Sequence, residues 1–474
     1  MSSISTSNVT SGFIDLATFD EIEKYLYGGP DATAYFVRET RKATWFTQVP
    51  VVLSRASGSP AFNQEWSVSI SRSGDYLLQT WVRLQTPSIT LNTGTGSTLG
   101  TAGSLRWTKN FMHNIIRECA ITFNDLVAAR FDNYHLDFWA AFTVPAGKRN
   151  GYQNMIGNVD DLTGAHNASN VSTASHNGLG LTLPSLTLNL PLPFFYGRNS
   201  GIALPTAALP YNDMRINFSF RDWRELLILE SLPSVPGKEN RIAINVPGDI
   251  TNTPTLNFCQ VWANYAIVSN DERKRMACAP RDILIEQVQT APRQTFVPNQ
   301  NSAPSFDIRF SHAIKVLFFS VRNTTWYSEW SNYTCSSPFS GGSTFQSQDS
   351  VTSVDPILQT SLIYENSQRL SQMGSDYFSL VNPFFHAPVI PNETGYHMYS
   401  YSLDFISLDP MASTNFGKLT NVSMVPEASA GAISASNGTF GNGADYKQSF
   451  EFVVTAINNN IIRVSGGALG FPVL

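Results

Sequence analysis

The chain has 474 residues, with 31 Lys and Arg against 36 Asp and Glu and a formal net charge of −5. A mildly acidic chain without a basic tail lacks the cationic surface that binds nucleic acid through its phosphates. Apolar residues at 42% and aromatics at 12% are too much hydrophobic material for a disordered chain. A compact body of 52.3 kDa buries roughly three quarters of its unfolded surface, and two domains are expected at this length. No apolar run approaches the ~20 residues of a membrane-spanning helix. The start, Met1-Ser2-Ser3-Ile4-Ser5-Thr6, has neither the basic residues nor the apolar stretch of a secretory signal. Cys119, Cys259, Cys278 and Cys335 lie far apart with no C-x-x-C, neither a zinc pattern nor a disulfide scaffold. The expectation is a soluble chain of intracellular origin.

Residues 1–43 read as an arm with one helix. Thr18-Phe19-Asp20-Glu21 has the form of a capping box. Phe19, Ile22 and Leu26 then follow at i, i+3 and i+7, and Gly28-Gly29 supplies the stop. This stripe either packs on its own domain or docks under a neighbouring molecule.

After the arm the period changes to two. Trp66, Val68 and Ile70 alternate with serines, as in a half-buried strand. Ser73-Gly74-Asp75 gives a turn, and Tyr76, Leu78, Thr80, Val82 and Leu84 continue the alternation, so the pair reads as a hairpin. Phe306, Ile308 and Phe310, followed by Ile314–Arg322, repeat the pattern. Everything after residue 44 reads as all-β.

The two stretches are copies in pattern. Gln48-Val49 matches Gln287-Val288, Trp66 matches Phe306, Val82-Arg83 matches Val321-Arg322, and Phe123 and Tyr134 match Tyr364 and Tyr377, at offsets near 240. Val261–Asn264 matches Val454–Asn458 less closely. One β-domain therefore occurs twice: residues 44–268 and 282–474, joined by 269–281. The linker contains Asn270-Asp271-Glu272-Arg273-Lys274-Arg275, read as a solvated helix capped by Asn or Asp. The first copy carries extra residues, which loop compositions in Gly147–Gly180 and Leu232–Pro254 can hold. Loops Pro87–Ser104 and Asn323–Ser353 leave equivalent strands, and loops this long are usually functional.

No catalytic constellation appears. There is no phosphate-binding G-x-x-x-x-G-K-[ST] loop, no H-E-x-x-H helix and no G-x-S-x-G elbow. His135-Leu136-Asp137 would share one face of a strand, so an ordered His–Asp pair is one reading and a structural hydrogen bond the plainer one. No catalytic, cofactor or metal residues are assigned.

Gly12-Phe13-Ile14-Asp15-Leu16-Ala17-Thr18-Phe19-Asp20 resembles the N-terminal arm of iridovirus major capsid proteins. Leu190-Pro191-Leu192-Pro193-Phe194-Phe195, with Leu204-Pro205 and Leu209-Pro210-Tyr211, is similar to a wider signature of large-DNA-virus capsid proteins. Asp271-Glu272-Arg273 with Leu284-Ile285-Glu286-Gln287 resembles that family's domain junction. Tyr399-Ser400 through Leu408, Pro410, Ser413, Asn415 and Phe416 resembles its C-terminal block, with a departure at Gly417.

The resemblance implies two consecutive eight-stranded jelly rolls and a non-enzymatic structural protein without cofactors. It also implies homotrimeric, pseudo-hexagonal capsomers tiling an icosahedral shell around an internal membrane, assembled in the host cytoplasm. Implied partners are further copies of the chain, penton and minor capsid proteins and, through the arm, the internal membrane, with no direct contact to nucleic acid. Candidate assembly contacts are Phe19, Ile22, Leu26, Trp326, Trp330 and Tyr333. Jelly rolls also serve as lectins; in that alternative, exposed Trp326, Trp330 and Tyr333 would stack on a sugar ring.

Overall fold

A computed structural model describes residues 2–37, 40–167, 179–231, 241–299, 301–335, 354–439 and 447–472. The chain divides into two units, Met1–Trp45 and Phe46–Leu474. The first holds two helices, not one: α1 (Ser2–Ala17) and α2 (Glu21–Leu26). The expected capping box does not form. Thr18 is engaged at the end of α1, where its Oγ1 donates to the Asp15 carbonyl at 2.6 Å. Asp20 takes the N-cap position of α2 without a side-chain cap bond. The helix stops before Gly28 and Gly29, whose φ values of 134° and 105° suit glycine.

The second unit contains two β-sandwiches. The first is built from β1 (Phe46–Val52), β2 (Glu65–Ser69), β3 (Tyr76–Gln85), β4 (Ile116–Phe123), β5 (Leu126–Phe131), β6 (Thr187–Pro191), β7 (Met214–Phe220) and β8 (Phe258–Val268). The second is built from β9 (Arg281–Thr290), β10 (Phe306–Asp307), β11 (Ala313–Asn323), β12 (Ile357–Tyr364), β13 (Ser367–Gly374), β14 (His397–Ser400), β15 (Val422–Ala428) and β16 (Phe450–Ser465). The first sandwich pairs β1-β8-β3-β6 in one sheet and β2-β7-β4-β5 in the other; short Ser54–Ser57 extends the latter beyond β2. The second pairs β9-β16-β11-β14 and β10-β15-β12-β13. Adding eight to each strand of the first sandwich gives the order of the second. Two consecutive eight-stranded jelly rolls are thus present, each strand antiparallel to its neighbours.

The expected hairpin between Trp66 and Leu84 is not one. β2 pairs with β7, whereas β3 pairs with β8 and β6 in the opposite sheet. The alternation identified two strands, but the turn between them crosses the sandwich. Gly74 is needed there, because a Cβ would lie 2.6 Å from that of Tyr265. β10 and β11 repeat this crossing in the second roll.

Two apolar clusters fill the unit. One lies inside the second roll, around Phe306, Phe319, Phe378 and Phe452. The other fills the first roll and continues into the second through Val316, Phe318, Met398 and Ile457. β11 explains the join. Ile314, Leu317, Phe319 and Val321 point into the second roll, whereas Val316 and Phe318 point to the first. A strand covered on both faces reads as a continuous apolar run, and AIKVLFFSVRN is almost that.

Extra residues of the first roll form helices as well as loops. α3 (Asn133–Thr143) and α4 (Ala146–Ile156) follow β5, so the start of Gly147–Gly180 is helical; residues 168–178 of it lie outside the described residues, as do 232–240 of Leu232–Pro254. Between the rolls runs α5 (Asn270–Cys278), whose N-cap position falls to Ser269, without a side-chain cap bond, and not to Asn or Asp. Its Arg273 donates to both carboxylate oxygens of Asp75, at 2.9 and 3.0 Å.

Candidate assembly surfaces and the junction between the rolls

The junction is built on α3. Asp132 caps it, accepting from the His135 backbone N–H at 3.1 Å. Tyr134, Phe138 and Phe142 then recur at i+4 on one helical face. Phe138 and Phe142 stack on Phe318 of β11, with ring centroids 5.8 and 5.4 Å away. The expected His135–Asp137 pair is therefore absent. On a helix, side chains two positions apart diverge by roughly 200°.

Asp137 instead meets His113. Its Oδ1 accepts from His113 Nδ1 at 2.8 Å and Asn110 Nδ2 at 3.3 Å. Its Oδ2 accepts from Ser331 Oγ at 2.8 Å and the Tyr333 hydroxyl at 2.7 Å. The Asp137 carboxylate can only accept, so His113 Nδ1 carries the shared proton, and Nε2 meets the Tyr152 hydroxyl at 2.6 Å. Burial, and then the Asp137 charge, hold the Tyr152 and Tyr333 hydroxyls above the ordinary phenol range, so both remain donors. One buried carboxylate thus ties α3 of the first roll to residues 331 and 333 of the second.

His135 lies elsewhere, fully buried between the rings of Phe131 and Trp139 at 6.0 and 5.9 Å. Neither ring nitrogen has a hydrogen-bond partner among the described residues. Burial first, and Arg198 second, push its pKa down to about 3. The unfolded imidazole takes a proton below about pH 6.5 and the folded one does not. Stability is therefore lost as pH falls from about 6.5 towards 3, by about 2 kcal/mol at pH 5. Urea unfolding at pH 7.5 and pH 5 should show this difference in the natural chain and lose most of it in His135→Leu.

Residues 324–335 fold back between the rolls, which corrects the expectation of exposed rings. Trp330 is 6% and Tyr333 2% exposed, and Trp326 is half-buried. The guanidinium carbons of Arg221 and Arg322 each lie 3.8 Å from the Trp330 ring centroid, an arrangement that only opposite faces of the ring accommodate. Trp330 Nε1 donates to the Glu225 carbonyl at 2.9 Å. Arg322 Nη1 bonds Glu451 at 3.1 Å and the Tyr134 hydroxyl at 3.3 Å. Buried Arg106 bridges Glu230 of the first roll, at 3.2 Å, to Glu329, at 2.8 Å. Burial opposes its charge, but the two carboxylates outweigh it and keep Arg106 protonated.

Of the loop Asn323–Ser353, residues 336–353 lie outside the described residues. Pro87–Ser104 is held by buried Asp249, which accepts from the Thr98 N–H at 2.7 Å and its hydroxyl at 3.0 Å. In the arm, Phe19, Ile22 and Leu26 are 48, 73 and 66% exposed. The sequence reading missed Asp137 as a clamp, the arginines around Trp330 and the Arg106 bridge. One signal was available: a capping Asp132 followed by Tyr134, Phe138 and Phe142 at helical spacing.

Residues 34–268 match the family model described as the major capsid protein N-terminus, and residues 272–470 that of the large eukaryotic DNA virus major capsid protein. The major capsid protein of Costelytra zealandica iridescent virus is 64% identical over 474 residues, all of both chains. That of Tipula iridescent virus is 64% identical over 466 residues, 98% of each chain. Among solved structures, the PBCV-1 virus capsid matches with a TM-score of 0.70 at 18% identity, covering 93% of this chain and 100% of that one, a likeness of fold. The chain belongs to the iridovirus major capsid proteins, within the major capsid protein family of large eukaryotic DNA viruses, and is a structural component of the virion.

Proposed function

We propose that this chain works by assembly and carries no catalysis. Three copies close into a capsomer of pseudo-sixfold outline, and capsomers tile an icosahedral shell around an internal membrane, formed in the host cytoplasm. The observation that supports this is the strand-for-strand repetition of one jelly roll within a chain, joined by a core-like junction. A threefold assembly of such chains presents six comparable bodies, so similar edges meet throughout a lattice. The working bodies are residues 44–268 and 282–474, with 269–281 between them and 1–43 as the arm. Penton and minor capsid proteins complete the shell, and nucleic acid is not a direct partner.

Light scattering on a sizing column tests the reading. Three copies of a 52.3 kDa chain give about 157 kDa; a stable, folded monomer at micromolar concentration would count against it. The exposed apolar arm residues dock on minor capsid proteins or the membrane beneath the capsomer, and Trp326 contributes to subunit contacts. Phe19→Ser, Ile22→Ser and Leu26→Ser together should leave trimers intact and prevent normal shells, scored by electron microscopy of assembled particles. Normal shells from that variant rule out the arm's role. The carbohydrate-binding alternative needs Trp330 and Tyr333 at the surface, and both are buried.

A further inference from the structure

The contact between the rolls is made once inside the chain, yet both of its halves occur twice. One half is the outer face of the sheet β9-β16-β11-β14, where Phe318 pairs across to Thr455 and Met398. The other half is α3, which lies between β5 and β6 and lays Phe138 and Phe142 on Phe318.

In the first roll the equivalent sheet face is open. Its central row runs Val52–Trp262–Trp81–Pro191 across β1, β8, β3 and β6. Trp81 and Trp262 stack at 6.3 Å and 11° between planes; both are half-buried, and Pro191 is exposed. Only the Pro191 end of the row borders a cleft, of about 690 Å³, which Trp139 of α3 and Ile406–Asp409 of the second roll also wall. In the second roll the equivalent of α3, between β13 and β14, is the π-turn Tyr377–Val381 leading into α6 (Asn382–His386). α6 presents Phe384 and Phe385, 68 and 71% exposed, edge to face at 5.2 Å. Paired large aromatics in the open are a contact surface awaiting a partner.

We propose that the Trp81–Trp262 face of the first roll receives the Phe384–Phe385 helix of a second copy of this chain. The contact repeats between chains the one that α3 makes with Phe318 inside the chain. It rests on the assembly reading and adds the surfaces that close the ring. The two patches differ, so the interface is head-to-tail, and such interfaces form rings when the rotation closes. With alike intrachain and interchain steps, the three chains of the assembly reading make one ring of six rolls.

A mixing experiment tests it. Phe384→Asp with Phe385→Asp removes the donor patch at exposed positions, and Trp81→Glu removes the receiving patch. Each variant alone should elute as a monomer of 52.3 kDa that keeps the wild-type far-ultraviolet circular dichroism and unfolds cooperatively. Where Trp81→Glu loses that signal or its cooperative unfolding, Pro191→Glu at the exposed end of the same row replaces it. Mixed, the two variants retain one good donor and one good receiver between them. They should form a one-to-one heterodimer of about 105 kDa and stop there. Either variant still trimeric beside a trimeric wild type overturns this contact alone, as does a mixture that stays monomeric. A monomeric wild type overturns the assembly reading beneath it.

Discussion

Asp137→Ala is expected to lower the unfolding free energy by roughly 3–5 kcal/mol, read from urea unfolding followed by tryptophan fluorescence. The carboxylate is 2% exposed and accepts from four side-chain donors, two from each roll. Its removal leaves several of those donors without their acceptor in a site shut off from water, and an unsatisfied buried donor costs its desolvation. Asp137→Asn should cost less, about 1–2 kcal/mol. Its amide oxygen still serves His113 and Asn110, and the Ser331 and Tyr333 hydroxyls can rotate to accept from the new NH₂. An alanine variant within 1 kcal/mol of the natural chain would mean that the clamp contributes little to holding the rolls together.

The duplication was legible because equivalent strand positions ask for the same residue types. Gln48 and Gln287, Val82 and Val321, and Val261 and Val454 all fall on strands related by the shift of eight in the sheet order. Strand pairing was not legible. Period-two alternation says that Trp66 and Val82 belong to strands, but nothing local says that β2 and β3 lie in opposite sheets. In each jelly roll those partners come from residues far along the chain, such as Trp66 with Phe218.

The junction was harder still. Trp330 and Tyr333 sit in a Ser- and Thr-rich stretch with the composition of a surface loop. Their burial depends on α3 and on Arg221, more than a hundred residues upstream. His135 and Asp137 stand two apart, a spacing that fits one face of a strand, but the Asp132 cap and the i+4 aromatics favour the helix that forms. A two-residue spacing in a short apolar segment does not separate the two periods.

Trp330→Ala separates the structural role of this ring from the surface role its loop composition suggests. Truncating a buried tryptophan costs about 3–5 kcal/mol through lost transfer and the cavity left behind. Here the cavity would open between two guanidinium groups that the indole now keeps apart while stacking on both. Arg221 is already strained electrostatically: burial above all, with Arg322 adding to it, brings its pKa down to about 10 against the pull of Tyr134 and Glu225. Loss of the ring removes its cation–π partner, which is worth about 2 kcal/mol where the site is desolvated. The expected loss therefore lies at the upper end of that range. Trp330→Phe keeps a face for the arginines and gives up the bond from Nε1 to the Glu225 carbonyl, so about 1–2 kcal/mol is expected. Urea midpoints at pH 7.5, where His135 is neutral in both states, measure the series. A ring that served only as a platform on the surface would give a flat series, because an exposed tryptophan can be truncated within about 0.5 kcal/mol. A steep series places the ring in the joint that holds the two rolls at a fixed step, the step that the assembled ring has to repeat.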